Sequence, residues 1–495
     1  MCGALNESLE ENMDGYQVRF IDKILDNVHG FIEFTAVEKE IIELPIFKRL
    51  QSIKQLGLTN WIFPGAEHTR FIHSLGVMHL ADQMAIQLRY SGEERQLVRL
   101  AGLLHDIGHY PLSHVGERAY KSLPANPEDV VRNQKQRVID GLHSVGDTRL
   151  HYMQEPSNPY HHEHITEQVI KSDGDIRGII DRHCGGCPLI TIENICDIIV
   201  GNVERNPKIS GLVQLVHSEL DADRIDYIMR DATFSGTSYG GFELGLFLRN
   251  LARTDYHGGE IIGVHPKGIS IADQFLMNRY YSYTQVFFNR HVSILEFMAR
   301  TLTEIFISKN TSEYPSPEVL LQYIKKHNGK TEFLYFTDRA FWDSVHHVSM
   351  GYSPYADVFQ ELLLKYQELD LTENKQISVT FSSEEELREH LKENPICRNV
   401  YRDDAETVPI LNIESFTHQQ PSAVYEQKLL KLLEEGKISP QQADIMRIRR
   451  LQEGITIIEE GKEPILLSDS PASLMSRLYS TKVCILREYA LPVQM

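Results

Sequence analysis

The chain has 495 residues, 42% of them apolar, which is enough for a large core and more than one lobe. Its 69 acidic residues outnumber 50 basic ones, and a formal net charge of −19 disfavours general binding to nucleic acid backbones. We find neither a signal peptide at the N-terminus nor an uncharged apolar stretch of membrane-spanning length. We therefore expect a cytoplasmic protein with no membrane partner.

The first 110 residues predict a short strand-and-turn segment followed by helices. A polar and apolar mix at 28–34 is typical of a small hairpin. Residues 44–57 predict a helix with proline in its first turn and glycine at its end. Further apolar patterns at helical spacing predict helices over 69–90 and 93–107, and Gly108 and Pro111 end the second.

The middle of the chain continues the helical pattern. Residues 122–160 are rich in Asn, Pro and Asp and predict a loop, whereas 163–205 resume helical periodicity. One helix is predicted over 211–231 and a long one over 274–308. The region is therefore mainly α.

The sequence pattern changes beyond about residue 310, where loops rich in Pro, Ser and Gly separate shorter predicted elements. We predict strands at 376–381 and 483–486, a helix at 384–393 and a charged helical hairpin at 422–450. This pattern indicates a smaller α+β C-terminal lobe, in which no chemically suggestive motif is visible.

Six cysteines in a chain of this length do not indicate a disulfide framework. Cys184 and Cys187 form a CxxC pair, but a zinc knuckle needs a second pair, which Cys196 alone does not supply. We favour reduced thiols in a glycine-rich turn over metal binding.

The residues with the clearest chemistry are His105 and Asp106, at the end of an apolar run. They place a neutral nitrogen ligand beside a carboxylate, a pairing that suits Mn, Fe or Zn. His73 upstream and Asp223 downstream lie in comparable helical settings. The ordered set His, His-Asp, Asp predicts one site for a divalent metal ion.

A second pattern follows the last of these ligands. Asp223, Tyr227 and Asp231 are spaced i, i+4, i+8 and share one side of a helix, where they could line a small-molecule pocket. The alternative is a solvated face with ion pairs, because Asp226 and Arg230 are also four residues apart.

The ordered ligand set and its flanking residues resemble the HD superfamily of metal-dependent phosphohydrolases. Blocks 64–77, 105–114 and 221–227 narrow the resemblance to the deoxynucleoside triphosphate (dNTP) triphosphohydrolases, both bacterial and animal. The resemblance runs from about Val28 to about Ala299 and implies an HD-domain helical core. We divide the chain into an N-terminal segment 1–27, an HD phosphohydrolase domain 28–308 and a C-terminal α+β lobe 309–495.

The resemblance implies hydrolysis of dNTP to deoxynucleoside and inorganic triphosphate, with one divalent metal ion (Mn, Fe or Zn) in the enzyme. A Mg ion with the triphosphate is an additional option. The implied metal ligands are His73, His105, Asp106 and Asp223. The implied catalytic residues are His109, His114, His162 and Glu117, where Glu117 orients a histidine. The implied substrate residues are Arg70 and Arg224 for phosphate, and Gln55, Tyr227 and Asp231 for deoxyribose.

Two histidines just past the ligand pair are candidates for acid–base chemistry near neutral pH. We assign that role to His114 or His109, because imidazole titrates in this range. We interpret the remaining isolated histidines as satisfied core or surface residues, namely His29, His79, His151 and His217.

The resemblance also bears on regulation and assembly. The animal enzymes read a guanine nucleotide activator with an Asp and an Arg, where this chain has Glu43 and Gln51. Loss of the Arg argues against GTP activation of that kind, while another nucleotide activator remains possible. By analogy with related enzymes we expect a homo-oligomer, either a dimer or a tetramer.

Two other functional classes stay open at this point. The chain could be an HD phosphohydrolase acting on another nucleotide or a phosphodiester. It could also be a catalytically weak HD protein that binds nucleotides or nucleic acid. The weakly catalytic binding protein is disfavoured because all four predicted ligands are present, and a sensor would not need to keep them. Among other HD branches, the (p)ppGpp hydrolases are disfavoured because His109 and Tyr110 follow the His-Asp pair where an acidic pair is usual.

Overall fold

A computed structural model gives the three-dimensional structure of the chain. It describes residues 16–121, 158–325, 332–348, 377–381, 407–415, 420–479 and 482–490. Helices dominate these residues and are accompanied by three small sheets. The fold class is therefore mainly α with a smaller α+β part, as the sequence predicts.

An antiparallel hairpin opens the described chain and extends further than predicted. Strand β1 (Phe20–Asp26) pairs with β2 (Gly30–Thr35). The Asp26 carboxylate accepts hydrogen bonds from the backbone N–H groups of Val28 and His29, which fixes the turn. Helix α1 (Ala36–Glu43) follows directly and begins with a capping box.

The predicted helix at 44–57 is wrong beyond Ser52. Only α2 (Pro45–Lys48) and a 3-10 turn (Arg49–Ser52) are helical. Beyond them the backbone pairs with the segment before the next helix, since Gln55 N–H bonds the His68 carbonyl and Arg70 N–H bonds the Ile53 carbonyl. These long-range bonds replace the i to i+4 bonds of a helix.

The predicted helices at 69–90 and 93–107 are confirmed as α3 (Arg70–Gln87) and α4 (Gly92–Leu104). They pack closely at Gly102, where the absence of a Cβ leaves room for the neighbouring helix. A Cβ at this position would lie 3.1 Å from the Met78 Cα atom. A tight turn follows α4 and leads into α5 (His114–Lys121).

The helical pattern predicted over 163–205 is confirmed by α6 (His162–Ser172), α7 (Gly174–Cys184) and α8 (Ile192–Ile199). The single helix predicted over 211–231 is wrong, because the chain forms α9 (Ser210–Val216) and α10 (Ala222–Ser235) instead. The helical backbone is interrupted ahead of Asp221, the residue that precedes α10.

The Asp221 carboxylate accepts the Ser218 and Arg224 N–H groups, each at 2.8 Å, and so caps α10.

A short helix α11 (Leu244–Arg249) leads to the hairpin β3 (Leu251–Tyr256) and β4 (Gly259–Val264). The long helix predicted over 274–308 is interrupted. The chain forms α12 (Ile269–Ser282), a π-turn (Tyr283–Phe287) and α13 (Arg290–Ser308). The Asn289 side chain caps α13 by accepting the His291 N–H.

The remaining described elements are short helices and strands. Helices α14 (Pro317–Lys325) and α15 (Asp338–Val348) precede two strands, β5 (Ile377–Phe381) and β6 (Thr407–Ser415). Helices α16 (Ser422–Glu434) and α17 (Pro440–Glu453) confirm the predicted helical hairpin. The chain ends with β7 (Thr456–Ile457), β8 (Ile465–Leu466), α18 (Met475–Leu478) and β9 (Lys482–Ala490).

The C-terminal strands form two sheets. Strand β9 lies between β5 and β6 and pairs antiparallel with both, which confirms the strands predicted at 376–381 and 483–486. Strands β7 and β8 extend the β3–β4 hairpin, since Val264 pairs with Ile457. The boundary at residue 308 stays a prediction. The predicted helix at 384–393 and most of the loop predicted at 122–160 lie outside the described residues.

The main apolar core runs through both the helical region and the C-terminal elements. It includes residues as far apart as Ile32 in β2 and Ile485 in β9. In the part of the chain that the structure describes, no helix has both the length and the apolar character needed to cross a bilayer.

Candidate metal centre and active site

The four predicted metal ligands, which we call the ligand cluster, meet at one point although three separate segments supply them. His73 projects from α3, His105 and Asp106 follow α4, and Asp223 lies in the first turn of α10. The Asp223 Oδ1 atom lies 2.9 Å from His73 Nε2 and 3.8 Å from His105 Nε2. The Asp106 Oδ2 atom lies 3.5 Å from His105 Nε2 and 3.9 Å from His73 Nε2.

Both imidazole rings of this cluster are held through their Nδ1 atoms. His73 Nδ1 hydrogen-bonds Asp226 Oδ2 at 2.7 Å, and His105 Nδ1 hydrogen-bonds the Gly102 carbonyl at 2.8 Å. The His105 Nε2 atom is buried and has no hydrogen-bond partner among the described residues. Metal-binding histidines are usually oriented in this way. The donor set of His73, His105 and Asp106 therefore fits a divalent metal ion.

Behind His73 lies a buried charged network that the sequence did not predict. Asp226 accepts hydrogen bonds from Arg230 at 2.8 and 3.0 Å and lies 2.6 Å from His29 Nε2. Arg230 also contacts Asp26 in the β-hairpin, at 2.8 and 3.2 Å. Asp226 and Arg230 are fully buried. The solvated face considered as an alternative is therefore wrong at these two positions, although their i, i+4 pairing is real.

One signal in the sequence could have indicated this network. Gly76 follows His73 by three residues on the same face of α3. A Cβ at Gly76 would lie 2.0 Å from Asp226 Oδ1 and 2.5 Å from Arg230 Nη2, so only glycine leaves room for the pair. A glycine inside a buried helix indicates such a close approach.

Asp106 is charged as well as buried. Arg70 donates to Asp106 Oδ2 at 2.7 Å and to the Ser113 hydroxyl at 3.0 Å. Burial raises the pKa of Asp106, but Arg70 and the neighbouring histidines outweigh it and hold that pKa well below its ordinary value. An ionised carboxylate is the form that binds a metal ion. Arg70, predicted to bind phosphate, thus lies beside a predicted ligand.

The predicted catalytic residues His109, His114, Glu117 and His162 form a second group, which we call the Glu117 cluster. Glu117 Oε2 lies 2.9 Å from His114 Nδ1, and Glu117 Oε1 lies 3.3 Å from His162 Nδ1. The His109 ring lies 5.1 Å from the His114 ring and 4.7 Å from the His162 ring, between centroids. The structure therefore brings all four together.

Glu117 influences the charge of His162. Burial lowers the pKa of His162, but the Glu117 carboxylate raises it more strongly, to about 9. His162 is therefore a cation at neutral pH. His161, which the sequence did not single out, also lies 3.6 Å from Glu117, while burial and the His162 charge lower the pKa of His161 to about 4.

The tautomer of His109 follows from its hydrogen bond. Its Nδ1 atom accepts the Tyr110 N–H at 3.0 Å, so the proton of the neutral ring lies on Nε2. Burial, together with the charge of Arg70, holds the pKa of His109 well below its ordinary value. The Nε2 atom is buried and has no partner among the described residues. His109 is therefore a neutral donor, which favours His114 for the acid–base role.

The predicted sugar residues differ in exposure. Asp231 is buried and lies 2.8 Å from His68 Nε2, a contact that the sequence did not predict. Gln55 is buried too, and its Oε1 atom has no partner among the described residues. Tyr227 is partly buried on the same helix as Asp231.

The predicted phosphate residue Arg224 lies near the ligand cluster, one residue after Asp223. Its guanidinium is partly exposed and approaches the Asp221 carboxylate at 3.4 Å. Part of its donor capacity is therefore directed toward the cap of α10. The exposed part of the guanidinium is accessible to solvent.

The CxxC thiols lie at the end of α7. Cys184 is buried, with Sγ 4.0 Å from the Tyr16 hydroxyl, and burial raises the pKa of Cys184 to about 11. Among the described residues, no group of potential metal ligands includes Cys184 or Cys187. The interpretation of the pair as reduced thiols stays a prediction. Of the histidines interpreted as ordinary, His217 pairs with Glu163 at 3.4 Å, and His151 lies outside the described residues.

Comparisons with known proteins agree with this geometry. Residues 70–196 match the family model of the HD domain. The chain is 29% identical over 270 residues to the uncharacterized protein YwfO of Bacillus subtilis, covering 53% of this chain and 51% of that protein. It is 30% identical over 240 residues to the deoxynucleoside triphosphate triphosphohydrolase SAMHD1 homolog of Dictyostelium discoideum, covering 46% and 39%.

The Homo sapiens deoxynucleoside triphosphate triphosphohydrolase SAMHD1 is 32% identical over 238 residues, covering 43% of this chain and 33% of that protein. The chain spans about half the length, or less, of these curated relatives.

Two solved structures share the fold over nearly the whole chain. A hypothetical protein from Aquifex aeolicus superposes with a TM-score of 0.61 at 23% identity, covering 95% of this chain and 96% of that one. A phosphohydrolase from Bacteroides thetaiotaomicron gives a TM-score of 0.59 at 20% identity, covering 94% and 99%. Residues 70–196 therefore carry an HD domain, and the chain is similar over part of its length to the deoxynucleoside triphosphate triphosphohydrolases.

Proposed function

We propose that the chain hydrolyses dNTP to deoxynucleoside and inorganic triphosphate, in a reaction that depends on a divalent metal ion. The observation that carries the proposal is the ligand cluster, in which the Nδ1 atoms of His73 and His105 are held by the protein and the Nε2 atoms face the two carboxylates. The resemblance to dNTP triphosphohydrolases supports the choice of substrate.

In the proposed reaction, a water oxygen forms a bond to the α-phosphorus while the bond from that phosphorus to O5′ breaks. The O5′ atom takes a proton and leaves as the deoxynucleoside hydroxyl, and the other product is triphosphate. A divalent ion held by the ligand cluster would polarise the α-phosphate and make a bound water easier to ionise. All other roles fall to side chains.

The Glu117 cluster supplies proton transfer. Glu117 accepts the Nδ1 proton of His114, so the doubly protonated ring carries its second proton on Nε2 and can give that proton to O5′. Burial lowers the pKa of His114, and the hydrogen bond to Glu117 opposes this shift. The neutral His109 would donate its Nε2 proton to a phosphate oxygen. His162, a cation at neutral pH, adds positive charge where triphosphate charge develops.

Charge and shape complete the substrate site. Arg70 and Arg224 would bind the triphosphate, because guanidinium groups match phosphate oxygens in geometry and charge. Gln55, Tyr227 and Asp231 would hold the deoxyribose. The unpartnered Gln55 Oε1 atom supports this assignment, since buried polar atoms are normally satisfied.

The test is an assay of metal-loaded protein with each dNTP singly and with all four mixed, resolving triphosphate from pyrophosphate and phosphate. We expect triphosphate and deoxynucleoside in equal amounts, and no turnover after chelation. Turnover only in mixtures would identify an activating nucleotide, and sedimentation of the same samples would measure the predicted dimer or tetramer. Release of pyrophosphate or phosphate, or no turnover with Mn, Fe, Co and Mg all tried, would contradict the proposal.

A further inference from the structure

The turn between the two clusters has an unusual backbone. Leu112 and Ser113 both have φ of +56°, in the left-handed region that residues with a Cβ rarely adopt. They lie between the ligand Asp106 and the predicted proton donor His114, which begins α5. Two consecutive non-glycine residues in this region need support from the surrounding structure.

That support comes from Asp338, the first residue of α15. Asp338 Oδ1 accepts the Leu112 N–H at 2.7 Å, and Asp338 Oδ2 accepts the Lys54 N–H at 2.9 Å. The Lys54 carbonyl in turn accepts the Ser113 hydroxyl at 2.6 Å. Asp338, Lys54 and the two left-handed residues are thus joined in a closed ring of hydrogen bonds.

Asp338 is 8% exposed and lies far along the chain from the turn that it holds. Burial raises the pKa of Asp338 to about 6, although its two backbone hydrogen bonds oppose the shift. A buried carboxylate is costly unless its oxygens are satisfied, and here each oxygen accepts one backbone N–H.

Arg49 secures the other end of the same turn. Its guanidinium donates to the His109 carbonyl at 2.6 Å, to the Ile107 carbonyl at 3.2 Å and to the Phe336 carbonyl at 2.6 and 3.0 Å. Residues 336–338 therefore contact the turn at both ends, once through Arg49 and once directly. This fixes the backbone on both sides of His109 and ahead of His114.

We propose that Asp338 is a positioning residue for catalysis, which acts by holding Leu112 and Ser113 in the left-handed conformation that places His114. The proposal rests on the proposed function for its kinetic consequence. Its physical basis is that proton transfer requires the donor to lie within hydrogen-bond reach of the reacting oxygen. A small displacement of His114 therefore slows the reaction.

The experiment replaces the carboxylate in Asp338→Asn, whose amide keeps one acceptor and turns a donor toward the second N–H. We expect kcat to fall roughly 10- to 100-fold, with KM for dNTP and the bound metal content unchanged. The Leu112 amide should exchange faster with solvent, and the His114 imidazole resonance should shift. A purely structural role would change thermal stability without this selective loss of kcat.

Asp273→Asn is the matched control. Asp273 is also buried and also ties a remote segment, accepting the Ser473 hydroxyl at 2.5 Å and the Leu474 N–H at 3.0 Å, but it does not contact the turn. We expect it to lower stability and leave kcat unchanged. Equal loss of kcat in both variants, or normal kcat in Asp338→Asn, would overturn the proposal.

Ser113→Ala covers the case in which Asp338→Asn does not fold. It removes the hydroxyl bond to Lys54 and also the acceptor of the Arg70 Nε hydrogen bond, so kcat alone does not report on the ring. A shifted His114 resonance is expected, and an unchanged His114 resonance would overturn the proposal. If the natural chain releases no triphosphate, the proposed function fails. Amide exchange and the His114 resonance then decide the positioning role alone, and no change in either would overturn it.

Discussion

The ligand cluster and the Glu117 cluster contain similar residues in opposite arrangements. In the ligand cluster, protein groups outside it hold the Nδ1 atoms, and the Nε2 atoms face the carboxylates of Asp106 and Asp223. In the Glu117 cluster, a single carboxylate lies between the rings of His114 and His162 and contacts the Nδ1 atom of each ring. The first arrangement leaves lone pairs for a cation, whereas the second fixes proton positions.

Counting His and acidic residues would therefore not separate a metal site from an acid–base site here, because both clusters contain ligand atoms at suitable distances. The partner of Nδ1 does distinguish His109 from the histidines of the ligand cluster. In His109 this atom accepts a backbone N–H, so the opposite nitrogen carries a proton and cannot bind a metal ion.

The largest expected effect comes from removing a ligand. Asp223→Ala should eliminate metal binding and reduce turnover by more than about 1,000-fold, because the α-phosphate loses its electrophilic partner. Metal analysis and circular dichroism check this, since the protein should stay folded. The control Asp255→Ala removes an exposed carboxylate on β3 and should change neither property. Retained activity in Asp223→Ala would remove Asp223 from the ligand set.

Glu117→Gln should lower kcat by roughly 100-fold or more, the usual contribution of a positioned acid or base, and leave the metal content unchanged. This separates the two clusters directly. Kinetics and metal analysis on the same preparation measure it. Loss of metal together with activity would mean that Glu117 belongs functionally to the ligand cluster.

The same variant has a pH signature. Glu117 raises the pKa of His162 from 6.5 to about 9, so the stabilisation from this pair is complete below pH 6.5 and is lost as the pH rises through about 9. The difference in unfolding free energy between natural chain and Glu117→Gln should therefore shrink between these values. Denaturant titrations at about pH 6 and about pH 10, on either side of that window, measure this difference in unfolding free energy. A difference that stays constant would contradict the ion pair.

Asp226→Asn should weaken metal binding by about 10- to 100-fold, the range for residues that orient a metal-binding histidine. The asparagine amide cannot replace a carboxylate that contacts His73, His29 and Arg230 at once. Competition with a chelator measures the affinity. Unchanged affinity would show that the Gly102 carbonyl and the packing suffice to orient the cluster.

Tyr227→Ala should have the smallest effect, raising KM for dNTP by about tenfold through loss of one substrate contact, with less change in kcat. Steady-state kinetics over a range of dNTP concentrations check this. If KM and kcat both stay unchanged, Tyr227 does not line the sugar pocket.

Local patterns were sufficient to predict the elements that carry most of the ligands. The periodicity of α3 and α4 and the breakers after His105 placed both correctly, because these helices form from residues close in sequence. The break in the helix predicted over 44–57 depends on backbone bonds to His68 and Arg70, which meet this segment only in the folded chain, and propensity cannot register such contacts. The break in the helix predicted over 211–231 is a local cap at Asp221, which apolar periodicity alone does not reveal.

The same limit applies to the site. The order of the motifs predicted a set of metal ligands that the structure brings together, but nothing local links Asp226 to His29 or Asp338 to Leu112. Both contacts join segments distant in sequence, and both concern orientation rather than ligand identity. In the described residues, sequence patterns predict which side chains come together better than they predict the residues that hold those side chains.

The most direct test of the proposed chemistry is hydrolysis of dNTP in water enriched in oxygen-18, followed by mass spectrometry of both products. We predict one heavy oxygen in the triphosphate and none in the deoxynucleoside, because water attacks the α-phosphorus and O5′ stays with the sugar. Heavy oxygen in pyrophosphate would place the attack at the β-phosphorus, and heavy oxygen in a deoxynucleoside monophosphate would show attack at the α-phosphorus with pyrophosphate as the leaving group. Either result would contradict triphosphohydrolase chemistry at this site.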